Sequence, residues 1–314
     1  MAQKAVAQYK TMSLGKRIAR DFSHNKFKYL MILPVLVYLA LFCYKPMYGI
    51  IIAFKNYKVA RGIEKSPWVG LFWFENFFKD PYFFRLLRNT FTISGLTILF
   101  GFPAPIILAL LLNEVRSNKF KRTVQTITYM PYFISLVVTC SLLKIYCMEN
   151  GLFPQIMELF GAQRQNLLAT PKYFYPIYIL SDIWQGIGWN SIIYLAALSG
   201  IDQEQYEAAR IDGANRLQQV IHITLPGLMP TITILFILRM GNILNVGYEK
   251  ILLLYNPSTY EVADVLSTYT YRTGLENQQY SLSTAVGLFN TMVNVVFLLI
   301  TNYISKKSTE SGLF

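Results

Sequence analysis

Apolar stretches long enough to cross a bilayer alternate with polar connectors along most of this chain. A hydrocarbon core about 30 Å thick is spanned by roughly 20 apolar residues in a helix, and about six such runs can be laid out. They are 29–52, 89–112, 123–146, 173–198, 229–246 and 283–304. The pattern predicts an all-α integral membrane protein: a polar segment 1–28, a membrane domain 29–305 and a short tail 306–314. An even number of spans puts both termini on one side.

Composition agrees with the pattern, since 54% of the 314 residues are hydrophobic and only 15% are charged. The net charge of +12 does not point to nucleic acid, because the basic residues lie in connectors rather than along one soluble face. Lys4, Lys10, Lys16, Arg17, Arg20, Lys26 and Lys28 precede the first run. Arg116, Lys119, Lys121 and Arg122 fill the second connector, and Lys306 and Lys307 end the last run. Juxtamembrane basic residues favour the cytoplasmic side, so both termini are expected there. Against this, Lys55, Lys58, Arg61, Lys65, Lys79, Arg85 and Arg88 crowd the first connector, which would then lie outside. The first apolar run reads as a retained span rather than a cleaved leader. Cys43, Cys140 and Cys147 all fall in spans, where a thiol serves as a small packing group.

The connectors differ in character. The first carries Trp68, Phe72, Trp73, Phe74, Phe77, Phe78, Phe83 and Phe84, which suits either a belt at the headgroup level or a packed extracellular loop. The third holds a short apolar run, 153–160, read as a surface helix. The fifth, 249–282, is polar and rich in tyrosine. Pro103 and Pro105 in the second span and Pro131 in the third each remove an amide donor and loosen the helix.

The fourth connector, 199–228, is the most specific stretch. Asp202 and Gln205 form a capping-box-like start for a short helix over 203–212. Gly213 stands where that helix should stop, at a position that tolerates a left-handed backbone. A second piece, 217–223, should follow, with Pro226 and Pro230 marking the start of the fifth span. So short a helix is marginal alone and needs tertiary support or a partner.

The spacing Glu207, Ala208, Ala209, three residues, Gly213, nine residues, Ile223, one residue, Leu225, Pro226 resembles the loop by which permease subunits of ATP-binding-cassette (ABC) importers dock onto their ATPase. The likeness extends to Asn89 and Thr90, to Leu111, Leu112 and Asn113, and to Met130, Pro131 and Tyr132, which look like permeases of the maltose-transporter type. Val69, Gly70 and Leu71, with Glu75, Asn76 and Phe77, look like that group's segment before the second span. Residues 265–274 and 280–289 look like the branch importing oligosaccharides derived from polysaccharides.

The resemblance implies a type I ABC importer permease fold in a bacterial cell membrane. It implies an ABC ATPase dimer that binds ATP and Mg, a second, homologous permease and an extracellular solute-binding protein that delivers an oligosaccharide. Glu207, Ala208, Ala209, Asp212, Gly213, Ile223, Leu225 and Pro226 would then form the ATPase-coupling loop. The chain carries no G-x-x-x-x-G-K-[ST] phosphate loop, so ATP chemistry would belong to another subunit.

Polar residues inside spans mark a candidate pathway, because they face the protein interior or water. Trp184, Gln185, Trp189 and Asn190 lie in the fourth span, Asn242 and Asn245 in the fifth, Asn290 and Asn294 in the sixth. The asparagines can instead hold helices together. Arg239, read as mid-span, requires a partner: Asp182, Glu249 or an acidic group on the substrate.

Two other classes compete. A membrane enzyme lacks chemistry here, with His24 and His222 the only histidines and no metal or catalytic constellation. An ion-coupled transporter needs carboxylates within spans, for which Asp182 is the one good candidate. Permeases for peptides or amino acids also carry a docking loop of this kind.

Overall fold

The computed structural model describes Gly15, residues 21–309 and residues 312–314. The basic positions Lys4, Lys10, Lys16, Arg17 and Arg20 lie outside the described residues. No strand forms among the described residues beyond one isolated antiparallel pairing, Lys55 with Trp68. The chain divides into two compact units, 1–69 and 70–314, each taken by itself.

In the first unit a single helix, α1 (Lys26–Phe54), is apolar enough to cross a membrane and has none of its central apolar window buried. Its surface is the kind that lipid or another subunit covers. Beyond it, Trp68 stacks on Phe54 with ring centroids 5.7 Å apart.

The second unit holds α2 (Phe72–Phe78), α3 (Phe83–Glu114), α4 (Asn118–Phe133), α5 (Leu136–Cys147), α6 (Leu152–Leu159) and α7 (Pro171–Leu198). There follow α8 (Gln203–Ile211), α9 (Arg216–Met240), α10 (Tyr248–Leu254), α11 (Leu266–Tyr271) and α12 (Tyr280–Thr309). By length and composition α3, α9 and α12 qualify as spans, as does the α4–α5 pair taken together. α7 has the length at 28 residues, with Asp182, Gln185 and Asn190 interleaved among its apolar positions.

Proline explains most departures from straight helices. The third run, expected as one span over 123–146, is broken: α4 and α5 meet at 96°. Pro131 opens the single tight turn Met130–Phe133 ahead of the break, and Ser135 then caps α5 by accepting from the Val138 amide at 3.4 Å. In α3 the turn before Pro103 widens, with the Phe102 N–H reaching back five residues to the Thr97 carbonyl at 3.0 Å. That bulge keeps the helix continuous past a residue with no amide donor. α9 does the same ahead of Pro226, where the Leu225 N–H donates to the Val220 carbonyl. The expected separate piece 217–223 and the fifth span are therefore one helix, and Pro226 and Pro230 lie inside it.

Three buried clusters hold this unit together. Ala109, Tyr194, Leu198 and Leu228 join α3, α7 and α9. Phe77, Leu86, Leu244, Leu266 and Val286 join α2, α3, α11 and α12. Cys140 and Cys147 pack with Phe174, Ile179 and Ile251, whereas Cys43 is exposed. Gly188 is required where α7 crosses α4, because a Cβ there would lie 2.2 Å from the Thr128 carbonyl oxygen. In the first connector, Phe77 is fully buried edge-on to Phe83 and Phe289, while Phe84 is 78% exposed. The aromatic segment thus both packs and faces outward.

Candidate functional site

Two regions carry the candidate chemistry. The first is the 199–228 loop. Asp202 caps α8 by accepting from the Glu204 amide at 3.0 Å. The expected return bond from Gln205 is not among the contacts of the described residues. A full capping box forms instead at the start of α9, where the Gln218 amide donates to Asn215 Oδ1 at 2.9 Å and the Asn215 amide to Gln218 Oε1 at 2.8 Å.

Between the two helices Gly213 adopts φ +78°. The Ala214 N–H reaches the Ala209 carbonyl at 2.8 Å and the Gly213 N–H the Arg210 carbonyl at 3.1 Å. This pair of bonds is a Schellman stop, which needs a residue free of Cβ strain at Gly213. The Tyr206 hydroxyl ties α8 to α9 through Thr224 Oγ1 at 3.0 Å.

Glu207, Ala208, Asp212, Gly213 and Pro226 are exposed, as is Leu225, while Ala209 and Ile223 are half-buried. Glu207, Arg210, Asp212 and Arg216 make no ion pair among the described residues. Ala209, Asp212, Gly213, Gln218, His222 and Ile223 border a shallow concavity of about 300 Å³. The loop is a hydrogen-bonded turn presenting charge without ion pairs.

The second region is a cavity of about 690 Å³ between the bulged turn of α3, the middle of α7 and the end of α9. Trp189, Asn190, Arg239, Asn242 and Asn245 line it, with Asp182. Trp189 stacks on Tyr132 with centroids 4.6 Å apart, which fixes an aromatic face beside amide donors. Trp184, Gln185, Asn290 and Asn294 are not among the lining residues. Trp184 lies 49% exposed. Gln185 donates to the Ile134 carbonyl at 3.1 Å and to Thr139 Oγ1 at 3.4 Å, satisfying a backbone group freed by the α4–α5 break.

The four asparagines form a ladder. Asn294 donates to Asn290 Oδ1 at 3.4 Å, Asn290 to Asn245 Oδ1 at 3.0 Å, and Asn245 to Asn242 Oδ1 at 3.1 Å. Buried Asn294 also accepts the Leu244 amide at 2.9 Å, so α12 holds the turn after α9 in place. Asn242 and Asn245, expected within a span, stand in this non-helical turn. α9 ends at Met240, which leaves Arg239 in its last turn rather than mid-helix.

The ion pairing differs from expectation. Neither Asp182 nor Glu249 pairs with Arg239. Asp182 pairs with Lys250 at 3.3 Å, while Lys250 also donates to the Tyr178 carbonyl at 3.2 Å and lies over the Tyr178 ring. Burial lowers the pKa of Lys250, opposed by the Asp182 carboxylate. Arg239 is exposed to the cavity and makes no ion pair among the described residues.

Sequence reasoning read the fifth connector as polar and rich in tyrosine but did not anticipate the polar network around Asp264. Asp264, fully buried, accepts bidentately from Arg272 at 2.8 and 3.1 Å, faces Arg85 at 3.7 Å and takes the Thr268 hydroxyl at 2.8 Å. Hydrogen bonding to Asp264 raises the pKa of Arg272 further above its ordinary range. Tyr269 donates to Asp80 at 2.7 Å, and burial together with that bond pushes its phenol pKa well up. Asn89, fully buried two turns into α3 rather than at its start, donates to the carbonyls of Glu261 and Asp264, each at 2.9 Å. Thr90 accepts the Leu266 amide at 3.1 Å. The apolar neighbours Ala263, Val265 and Leu266 around Asp264 were the available signal.

Comparison with known proteins decides the family. Residues 101–310 match the model for the binding-protein-dependent transport system inner membrane component. The chain belongs to that family. Protein LplB of Bacillus subtilis (strain 168) is 44% identical over 306 residues, covering 96% of each chain. The polygalacturonan/rhamnogalacturonan transport system permease protein YteP of the same strain is 44% identical over 300 residues, covering 95% of this chain and 94% of its own. Among solved structures, a chain of a bacterial ABC transporter involved in import of the acidic polysaccharide alginate superposes with TM-score 0.87 at 43% identity. It covers 93% of this chain and 99% of that one. This family member is thus an inner-membrane transport component with a type I importer permease fold.

Proposed function

We propose that this chain is one permease subunit of an ATP-driven importer of oligosaccharides. The carrying observation is the 199–228 loop, whose capped helix, Schellman stop and unpaired Glu207 form a preorganised, exposed knob. On this reading, residues 202–226 dock on a separate ABC ATPase dimer that binds ATP and Mg, turning its closure into movement of α7 and α9. A second, homologous permease completes the pathway, and an extracellular solute-binding protein delivers substrate. Both termini are cytoplasmic, which puts the loop on the ATPase side.

The cavity supports a sugar as cargo, since it sets the Trp189 ring among the amides of Asn190, Asn242 and Asn245. An ion-coupled mechanism loses its best carboxylate, because Asp182 is already paired with Lys250.

The test is co-purification of the tagged chain from solubilised membranes with Glu207→Ala and Gly213→Pro variants. The latter removes the N–H that bonds Arg210 and forbids a positive φ. Wild type is expected to bring down an ATPase, a second permease and a solute-binding lipoprotein, and both variants to lose the ATPase. A well-folded wild type without an ATPase would overturn the reading.

A further inference from the structure

We propose that Arg239 is a carboxylate-recognition site, so that the cargo of this permease is an acidic, uronate-bearing oligosaccharide. This rests on the oligosaccharide reading above and narrows it.

The argument is a charge count. Only two residues lining the 690 Å³ cavity carry formal charge, Asp182 and Arg239. Asp182 is neutralised from behind by Lys250, itself 4% exposed and held by the Tyr178 carbonyl and ring. Arg239 makes no ion pair among the described residues, so the cavity keeps one uncompensated positive charge. A guanidinium lining a cavity with no carboxylate of its own is a site for an anion, and a planar carboxylate matches its fork of donors. A neutral sugar would leave it unpaired.

The neighbours fit a pyranose uronate rather than a small inorganic anion. Trp189, braced by Tyr132, offers an apolar face for a sugar ring. Asn242 and Asn245, aligned by the ladder from α12, offer amides for hydroxyls. Because Arg239 stands in the last turn of α9, the helix that begins in the 199–228 loop, movement there would reach the carboxylate contact directly. Binding and release of the acid would thereby follow the state of the loop.

The test is direct binding to the whole co-purified importer in nanodiscs, with labelled trisaccharides of galacturonate and of mannuronate and their methyl esters. The ester keeps the ring and removes the charge. Wild type is expected to hold one of the acids about tenfold or more above its ester, equivalent to about 1.4 kcal/mol. Arg239→Gln should lower the acid to the level of the ester while leaving the ester unchanged. Arg239→Lys should retain part of the preference, and a thermal-shift measurement would show each variant folded. Equal binding of acid and ester by wild type, or equal weakening of both in Arg239→Gln, overturns the proposal while leaving oligosaccharide import standing. If wild type binds neither the acids and esters nor neutral trisaccharides, the oligosaccharide reading itself fails, and this proposal with it.

Discussion

The 199–228 loop and the 249–282 connector are both polar, both contain a short helix, and are opposite in fate. In the connector Ala263, Asp264, Val265, Leu266 and Thr268 are all fully buried. In the loop Ile211 is 86% exposed and Leu217 68%. The connector pairs its buried charge inside the fold, setting Arg85 and Arg272 on Asp264 and Asn89 on two carbonyls. The loop satisfies its backbone and leaves its charges unpaired. Polar sequence that has found its partners stabilises a fold, while polar sequence without them is available for another molecule.

The contrast breaks most clearly at Asp264. Asp264→Ala should remove about 3 kcal/mol or more of stability, because it leaves two guanidiniums facing each other without their carboxylate. Thermal unfolding in detergent would register this as a large drop; an unchanged midpoint would mean that the network contributes nothing.

Gly213→Ala in the loop should cost about 1 kcal/mol, the penalty for a Cβ in the left-handed region. Hydrogen exchange should localise that loss to α8 and the start of α9.

A comparable effect is expected from pH at Tyr269. Its phenol pKa is raised in the folded state above the ordinary 10.0, so the contribution is complete below pH 10 and fades as pH climbs toward the folded value. Unfolding midpoints of wild type and Tyr269→Phe, compared from pH 8 to 11, should run parallel up to about pH 10 and begin to draw together above it. Curves that stay parallel to pH 11 would refute the assignment.

The smallest effect on stability belongs to Glu207→Ala, expected within about 0.5 kcal/mol for an unpaired surface group. A Glu207→Ala protein that unfolded early would show that the loop is structural after all.

These differences bear on what was legible beforehand. Parts of the loop were readable because their signals are local: Asp202 as a cap and Gly213 as a stop, though not the Gln205 return bond or the continuity of α9. The connector was not, because each of its partners is distant in the chain, Arg85 and Asn89 lying in α3. Two of the seven basic residues that confused the charge pattern of the first connector are explained the same way, since Arg85 and Arg88 are engaged with the fifth connector at Asp264 and the Glu261 carbonyl. Among the pathway candidates, Trp189, Asn190, Arg239, Asn242 and Asn245 do share one cavity. Gln185, Asn290 and Asn294 hold backbone and side chains around it instead. Polar positions within apolar runs thus serve two ends, bordering a cavity or holding neighbouring segments together, and hydrogen-bond partners distinguish them.

The sequence by itself determined the membrane class, the apolar runs and the stop at Gly213. Hydrocarbon thickness and backbone sterics act on neighbouring residues and need no knowledge of the fold. The tertiary structure alone decided that α4 and α5 meet at 96°, that α9 ends at Met240, and that Asp182 belongs to Lys250. Those outcomes depend on which carbonyls, amides and charges meet across space. They leave Arg239 facing the cavity without a partner.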